Sequence, residues 1–298
     1  MNGGKKSGFV ALLGRPNVGK STLLNRILRA KIAIVTNKPQ TTRDRIAGIF
    51  TGEKGQIVFL DSPGIHRPRK ALNAYMVRTA ERIASEADVV VHMVDDRTGD
   101  SGEEERLVRG IISNVNVPRV LVVNKSDRMG EAAARLRMAS LMESGLYGEG
   151  HVVSATKGHG VDAFLSAIYS LLPVGPAYYP EEDLTDLPMR FIAKEILREK
   201  LFNELSEELP YSVAVAIEEY KEEEEKRLIR IRAEIYVERE SQKGILIGRG
   251  GRMLKKIGTE ARLELEKETG ERVYLELFVK VVKEWSRDET VLRRLGYV

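Results

Sequence analysis

The sequence predicts an α/β chain: a doubly wound, mostly parallel sheet with helices on both faces, followed by a smaller α+β domain. Three observations carry this prediction. Short apolar runs at 9–13, 57–60, 89–91 and 120–123 recur between helix-spaced segments, and most of them end in loops rich in Gly, Asp or Asn, as buried parallel strands and their crossovers do. Pro173, Pro176 and Pro180, then Glu181, Glu182 and Asp183, interrupt the pattern. Beyond them the stretch 228–237 alternates apolar and polar residues, the period of a half-buried strand. The expected division is a flexible N-terminus at 1–7, a first domain at 8–172, a linker at 173–186 and a second domain at 187–298.

Composition narrows the class. The chain has 298 residues, 42% apolar and 31% charged, enough for two cored domains. It has no cysteine, which excludes disulfides and thiolate metal sites, and its 4 scattered histidines argue against a zinc centre. Its apolar runs are too short to cross a bilayer. No apolar stretch follows Lys5 and Lys6, so the start does not read as a signal peptide. A cytoplasmic location is expected.

Phe9-Val10-Ala11-Leu12-Leu13 reads as a buried strand. It runs into Gly14-Arg15-Pro16-Asn17-Val18-Gly19-Lys20-Ser21, which fits G-x-x-x-x-G-K-[ST], and a helix follows through Thr22 to Leu28. Glycines let backbone N–H groups turn toward phosphate oxygens, and the helix N-terminus adds partial positive charge. Lys20 is expected at the β- and γ-phosphates and the Ser21 hydroxyl at Mg²⁺.

The strand 57–60 ends at Asp61-Ser62-Pro63-Gly64, a D-x-x-G. A carboxylate at the C-terminal end of a parallel strand overlooks the nucleotide crevice. Asp61 is expected to hold Mg²⁺ through water, and the Gly64 N–H to meet the γ-phosphate. The strand 120–123 ends at Asn124-Lys125-Ser126-Asp127, an N-K-x-D. The Asp127 carboxylate matches the N1–H and N2–H₂ donors of guanine, which adenine lacks, and a buried polar mismatch discriminates by about 10⁴-fold. Asn124 is expected to brace the loop and the Lys125 stem to lie over the base. After His151-Val152-Val153 comes Ser154-Ala155-Thr156, where the Ala155 N–H is expected to reach guanine O6. The polar segment 36–44 suits a loop that orders when a threonine meets Mg²⁺ and the γ-phosphate; Thr42 is the expected ligand, with Thr41 next. The partners read from these motifs are GTP and GDP.

Two positions bear on hydrolysis. Ile65 follows D-x-x-G, and an aliphatic side chain cannot orient water. His66 comes next and is expected to be a surface histidine. The four motifs in order resemble the translation-factor-related GTPases, and Thr41-Thr42-Arg43-Asp44 resembles their Era-related branch. In relatives of that branch an asparagine at the Asn17 position helps hold a monovalent cation, which implies K⁺ as a second cofactor and a catalytic role for Asn17 beside Lys20, Thr42 and Gly64. The bland alternative is that Asn17 only braces the turn.

The second domain starts with a helix at 189–205, spaced by Phe191, Ile192, Ile196, Leu197, Leu201 and Leu205. Strands follow at 212–218 and 228–237, paired antiparallel, with the acidic run Glu222 to Glu225 at the turn. A helix from about Ser241, a glycine loop, a helix at 253–268 and a strand at 273–282 complete an α-β-β-α-α-β order. The loop holds Gly248-Arg249-Gly250-Gly251, a G-x-x-G that lets a nucleic-acid backbone approach closely. Ile245, Ile247 and Met253 are the expected apolar floor for unstacked bases. The net charge of +4 does not locate a nucleic-acid surface, because residues 186–298 hold 23 Lys plus Arg against 24 Asp plus Glu, a net of −1. The local patch of Lys243, Arg249, Arg252, Lys255 and Lys256 is the expected phosphate contact.

This domain resembles the type II KH fold, and the whole chain resembles the Era family of GTPases. The resemblance implies slow GTP hydrolysis, binding to the single-stranded 3′ end of 16S rRNA, and a role in assembly of the 30S subunit. It also implies peripheral association with the inner face of the membrane, and a monomer is expected. The alternative is an RNA-binding module whose nucleotide domain only senses guanine nucleotides.

Overall fold

The computed structural model describes residues 4–67, 70–97 and 102–297. The chain divides into two compact units. The first runs to Asp186 except for Lys70–Leu72, which cluster with the second, from Leu187 onward.

The first unit alternates strands and helices: β1 Lys6–Gly14, α1 Lys20–Leu28, β2 Ile46–Gly52, β3 Gly55–Asp61, α2 Ala71–Glu86, β4 Val89–Val94, α3 Glu103–Ser113, β5 Arg119–Val123, α4 Ser126–Met129, α5 Glu131–Met142, β6 Glu149–Val152 and α6 Val161–Leu171. The sheet order is β2-β3-β1-β4-β5-β6, parallel except for β2, which forms an antiparallel hairpin with β3. Strands β3 and β4 are buried along their whole length, as a sheet covered on both faces requires. Register then positions the chemistry. Leu12 pairs with Asp61, Val94 with Val123 and Val123 with Val152. The polar residues that follow these strands therefore converge on one edge, outside the strand C-termini.

Three boundaries differ from the sequence reading. Strand β1 starts inside the stretch expected to be flexible, because Lys6 and Ser7 pair with Gly55 and Gln56 and Ser7 is buried. The edge strand β2 was not foreseen; its residues Ile46, Ala47 and Ile49 are buried in the sheet. The segment 173–186 is tied to the first unit. Gln56 Oε1 accepts from the N–H groups of Tyr178 and Tyr179, the Ile49 N–H donates to Leu184 O, and Thr185 Oγ1 donates to Ala47 O. The last two of these bonds engage the outer edge of β2.

The second unit contains α7 Met189–Glu204, β7 Ala214–Glu223, β8 Leu228–Val237, α8 Glu240–Ile247, α9 Arg252–Thr269, β9 Arg272–Val281 and α10 Glu289–Arg294. Its sheet order is β7-β8-β9, with β7/β8 antiparallel and β8/β9 parallel. Apolar residues of α7, α9 and one sheet face, including Leu197, Leu201, Ile231, Ile235, Ile257 and Leu265, form the core. Strand β7 runs through Glu223 into the acidic stretch expected as a turn. Glu223 accepts from Arg230 at 2.6 Å and Lys226 at 2.8 Å, which neutralises the charge that made the stretch read as a solvated turn. Trp285, the single tryptophan, is fully buried, and its indole N–H donates to Ser212 O at 2.9 Å.

Candidate nucleotide site and nucleic-acid groove

A cavity of about 580 Å³ opens at the C-terminal edge of the first sheet, walled by residues 16–22, the loop around 34–42, Gly64, and the loops after β4, β5 and β6. Loop 14–21 turns into α1 through Gly19, at φ 98°. A Cβ at Gly19 would lie 2.2 Å from the Asn124 amide nitrogen, and one at Gly64 would lie 2.8 Å from Pro16 Cα. Both positions therefore need glycine for close approach.

Donors hold the carbonyls of this loop from outside. Lys20 Nζ donates to Gly14 O at 3.2 Å and Arg15 O at 3.3 Å. Lys125 Nζ donates to Asn17 O at 2.7 Å, and Asn124 Nδ2 to Val18 O at 2.8 Å. Three oxygens gather beside Lys20: Ser21 Oγ lies 2.5 Å from Asp61 Oδ2 and 3.1 Å from Thr42 Oγ1. Asp61 Oδ1 is buried with no hydrogen-bond partner. Thr41 instead bonds Thr36 Oγ1 at 2.7 Å and Lys38 O at 2.8 Å, so the geometry brings Thr42, not Thr41, to Ser21 and Asp61. A set of two hydroxyls and an unshared carboxylate oxygen suits a hard cation such as Mg²⁺.

Burial dominates the electrostatics. It pushes the Asp61 carboxyl up to about 6, against Lys20 and the Ser21 and Thr42 hydrogen bonds. It brings the Lys20 ammonium down to about 8, with Asp61 opposing and Arg97 assisting.

At the other end of the cavity, Asp127 accepts from Ser154 Oγ at 2.5 Å, which holds its carboxyl below the usual range. The Ala155 N–H, expected to face a base oxygen, donates to Asn124 Oδ1 at 2.9 Å. It reaches guanine O6 only by sharing or exchanging that bond. Asn17 has φ 62°, and its amide donates to Asn37 O at 3.0 Å. Ile65 is 1% exposed in the core, so it cannot turn into the cavity. His66 is half-buried, with Nδ1 3.0 Å from Gly64 O and Nε2 2.6 Å from the Asn73 amide. It is thus engaged rather than a free surface group. The sequence reading missed Asp95 and Arg97, after β4. For Asp95 the signal was available, since it directly follows a buried strand; for Arg97 there was none.

In the second unit, α8 ends at Gly248, φ 71°, and Gly250 and Gly251 follow at φ 58° and 77°. Positive φ at each favours glycine. A cavity of about 390 Å³ lies between α9 and β9. Its apolar lining is Leu254, Leu275 and Leu277, with Lys255, Thr259 and Arg262 on its polar side. The expected floor residues do not line this cavity. Ile245 is 60% exposed on α8, Ile247 closes that helix, and Met253 packs on the core. The two leucines of β9 were legible in its alternation. Within the expected patch, Lys256 is ion-paired: Glu204 of α7 accepts from its Nζ at 2.5 Å and raises its pKa. Among the described residues, no acid forms an ion pair with Lys243, Arg249, Arg252 or Lys255.

Two family models match the chain: a 50S ribosome-binding GTPase at residues 9–125 and a KH domain at 208–286. The chain is 48% identical over 292 residues to GTPase Era of Geobacter metallireducens, covering 98% of both. It is 45% identical to GTPase Era of Carboxydothermus hydrogenoformans, again covering 98% of both. Among solved structures it is similar to Era of Aquifex aeolicus bound to GDP.AlF4⁻, at TM-score 0.93 and 41% identity over 98% of this chain and 99% of that one. It is similar also to Era in complex with MgGDPNP and nucleotides 1506–1542 of 16S ribosomal RNA, at TM-score 0.94 and 41% identity over 99% of both. Identity at this level across both units and the whole length leaves one assignment: the chain belongs to the Era family of GTPases.

Proposed function

We propose that this GTPase couples GTP binding and hydrolysis in its first unit to binding of the single-stranded 3′ end of 16S rRNA in its second, and acts in maturation of the 30S subunit. The observation that carries the nucleotide half is the meeting of Ser21, Thr42 and the unshared Asp61 oxygen beside Lys20. In this reading Ser21 and Thr42 ligate Mg²⁺ and Asp61 holds it through water. The backbone of 14–19, with Lys20 and Thr22, cradles the phosphates, and Gly64 meets the γ-phosphate. Asn124, Lys125, Asp127, Ser154 and Ala155 select guanine. Mg²⁺ would neutralise charge on the transferred phosphoryl group. K⁺ is proposed beside Asn17, whose side chain already lies against the Asn37 carbonyl; a monovalent cation there would bear charge that Ile65 cannot address.

For the RNA half, the G-x-x-G turn and the leucine-floored cavity suit four unstacked nucleotides, with Arg249, Arg252 and Lys255 at their phosphates. The relative solved with nucleotides 1506–1542 supports the same ligand here. We propose a cytoplasmic monomer, with peripheral association at the inner face of the membrane kept from the family resemblance. No described helix is long and apolar enough to cross a membrane.

The buried Ile65 favours a second reading, in which hydrolysis is incidental and the nucleotide unit is a sensor. GTP turnover in K⁺ and in Na⁺, with and without a single-stranded RNA matching the 16S 3′ end, separates the two. Stimulation by RNA supports the coupled switch. Tight RNA binding with unchanged turnover supports the sensor.

A further inference from the structure

The geometry points to Arg97 as a positioning residue for GTP hydrolysis: paired with Asp95, it turns the peptide between Pro16 and Asn17 so that the Asn17 N–H faces the phosphates. This rests on the nucleotide pocket proposed above.

Five consecutive carbonyls, from Gly14 to Val18, each accept a side-chain donor. Lys20, Lys125 and Asn124 take four of them and belong to the nucleotide motifs. The fifth, Pro16 O, accepts from Arg97 at 2.6 Å, and Arg97 belongs to no motif. A trans peptide is planar, so its N–H points opposite to its C=O, and no peptide among the described residues is cis. Fixing Pro16 O therefore fixes the direction of the Asn17 N–H. Pro16 also abuts Gly64, the glycine assigned to the γ-phosphate, so this peptide stands at the end of the pocket where bond cleavage occurs.

Arg97 is itself held in place. Its Nε meets both Asp95 oxygens at 2.9 and 3.0 Å, and its own carbonyl accepts from Arg137 at 2.9 Å. Asp95 is fully buried. Burial raises its pKa, but hydrogen bonds from Lys125 and Arg97 outweigh that and keep it ionised. The same carboxylate meets Lys125 Nζ at 2.7 Å. One buried charge thus orients the two cations that hold two adjacent carbonyls, Pro16 O and Asn17 O. In the transition state negative charge grows on the oxygens between the β- and γ-phosphorus, where a pre-aimed N–H donor acts more strongly than in the ground state.

The test is Arg97→Ala. Turnover is expected to fall about 10- to 100-fold, since one donor in such a site is worth about 10²- to 10³-fold and here it is misaimed rather than deleted. Affinity for GDP with aluminium fluoride should fall by a similar factor and affinity for GDP alone by less than about 3-fold; Tm should fall, because buried Asp95 keeps Lys125 but loses Arg97, and turnover is therefore compared well below the variant's Tm. Arg97→Lys, which can still donate to Pro16 O, should recover part of the rate. Asp95→Asn combined with Arg97→Ala should be no worse than Asp95→Asn alone, because the two act as one unit. Wild-type turnover by Arg97→Ala, or equal loss of GDP and GDP–aluminium fluoride binding, would overturn the proposal. If Lys20→Ala leaves GDP binding intact, the pocket assignment itself falls, and this role with it.

Discussion

Replacing Asp61 by asparagine probes the electrostatics on which the nucleotide site is built. Asp61 has no exposed surface, and burial moves its carboxyl from 3.8 to about 6. An acid whose folded value lies above its unfolded value binds its proton more tightly when folded, so its ionisation opposes folding. The penalty is absent below 3.8, grows between 3.8 and about 6, and is complete above that. At about 1.4 kcal/mol per pH unit it reaches roughly 3 kcal/mol. Asp61→Asn keeps the shape and has no charge to desolvate, while Lys20, at about 8, stays charged across the window in the wild type. The variant should therefore gain roughly 3 kcal/mol on the wild type between about pH 4 and about pH 7, or about 6 to 12 °C in Tm for a unit of this size. Scanning calorimetry without nucleotide or Mg²⁺ measures this. Fluorescence of Trp285, which lies in the second unit, supplies an internal reference. MgGDP at about 1,000 times its Kd adds about 4.1 kcal/mol to the wild type and should reverse the order, because the variant lacks the carboxylate. A difference between the proteins that stays constant from about pH 4 to about pH 7 would refute the reasoning.

Three further outcomes are expected. Asp127→Asn replaces a double acceptor with one acceptor and one donor, so GTP affinity should fall by about 10²-fold or more, while xanthosine triphosphate, which carries an oxygen in place of the guanine amino group, should gain; nucleotide competition reads both. Arg252→Ala or Lys255→Ala should weaken single-stranded RNA and reduce the salt slope of binding by about 1, whereas Lys256→Ala, whose charge is committed to Glu204, should change RNA affinity less than about 2-fold. Gly248→Ala puts a Cβ 2.9 Å from Met253 Cβ at φ 71° and should destabilise the second unit by about 1–3 kcal/mol, seen as an earlier Trp285 transition.

Much of this molecule was legible because its chemistry sits at strand ends, where apolar runs and motif spacing coincide. Asp61 and Asn124 each follow a run of four apolar letters, and Ser154 follows two valines. The meeting of Thr42 with Ser21 was legible only as a choice between two threonines. Local sequence does not say which one the loop turns inward, whereas the bond between Thr36 and Thr41 does. The leucine-lined cavity was missed for a related reason. Ile245 and Ile247 are apolar and adjacent to the glycines, but α8 turns Ile245 to solvent, and Leu275 and Leu277 reach the groove from a strand that follows them in sequence. The ion pair of Lys256 was not legible because its partner Glu204 lies 52 residues away, beyond any local count of charge. Arg97 was invisible as a motif because its partner is a backbone carbonyl, which every residue carries.

The strap over β2 has a consequence during synthesis. The outer edge of this strand is completed by residues far downstream: Thr185 reaches Ala47 across 138 positions. At about 5–20 residues per second, the ribosome needs roughly 7 to 28 s to deliver them. Through that interval the nascent chain carries an open strand edge, the kind of template on which chains join one another. The segment between the two units thus works as a late closure as well as a connection. Deleting residues 184–185 should leave the folded sheet largely intact and raise the fraction of newly made protein that aggregates.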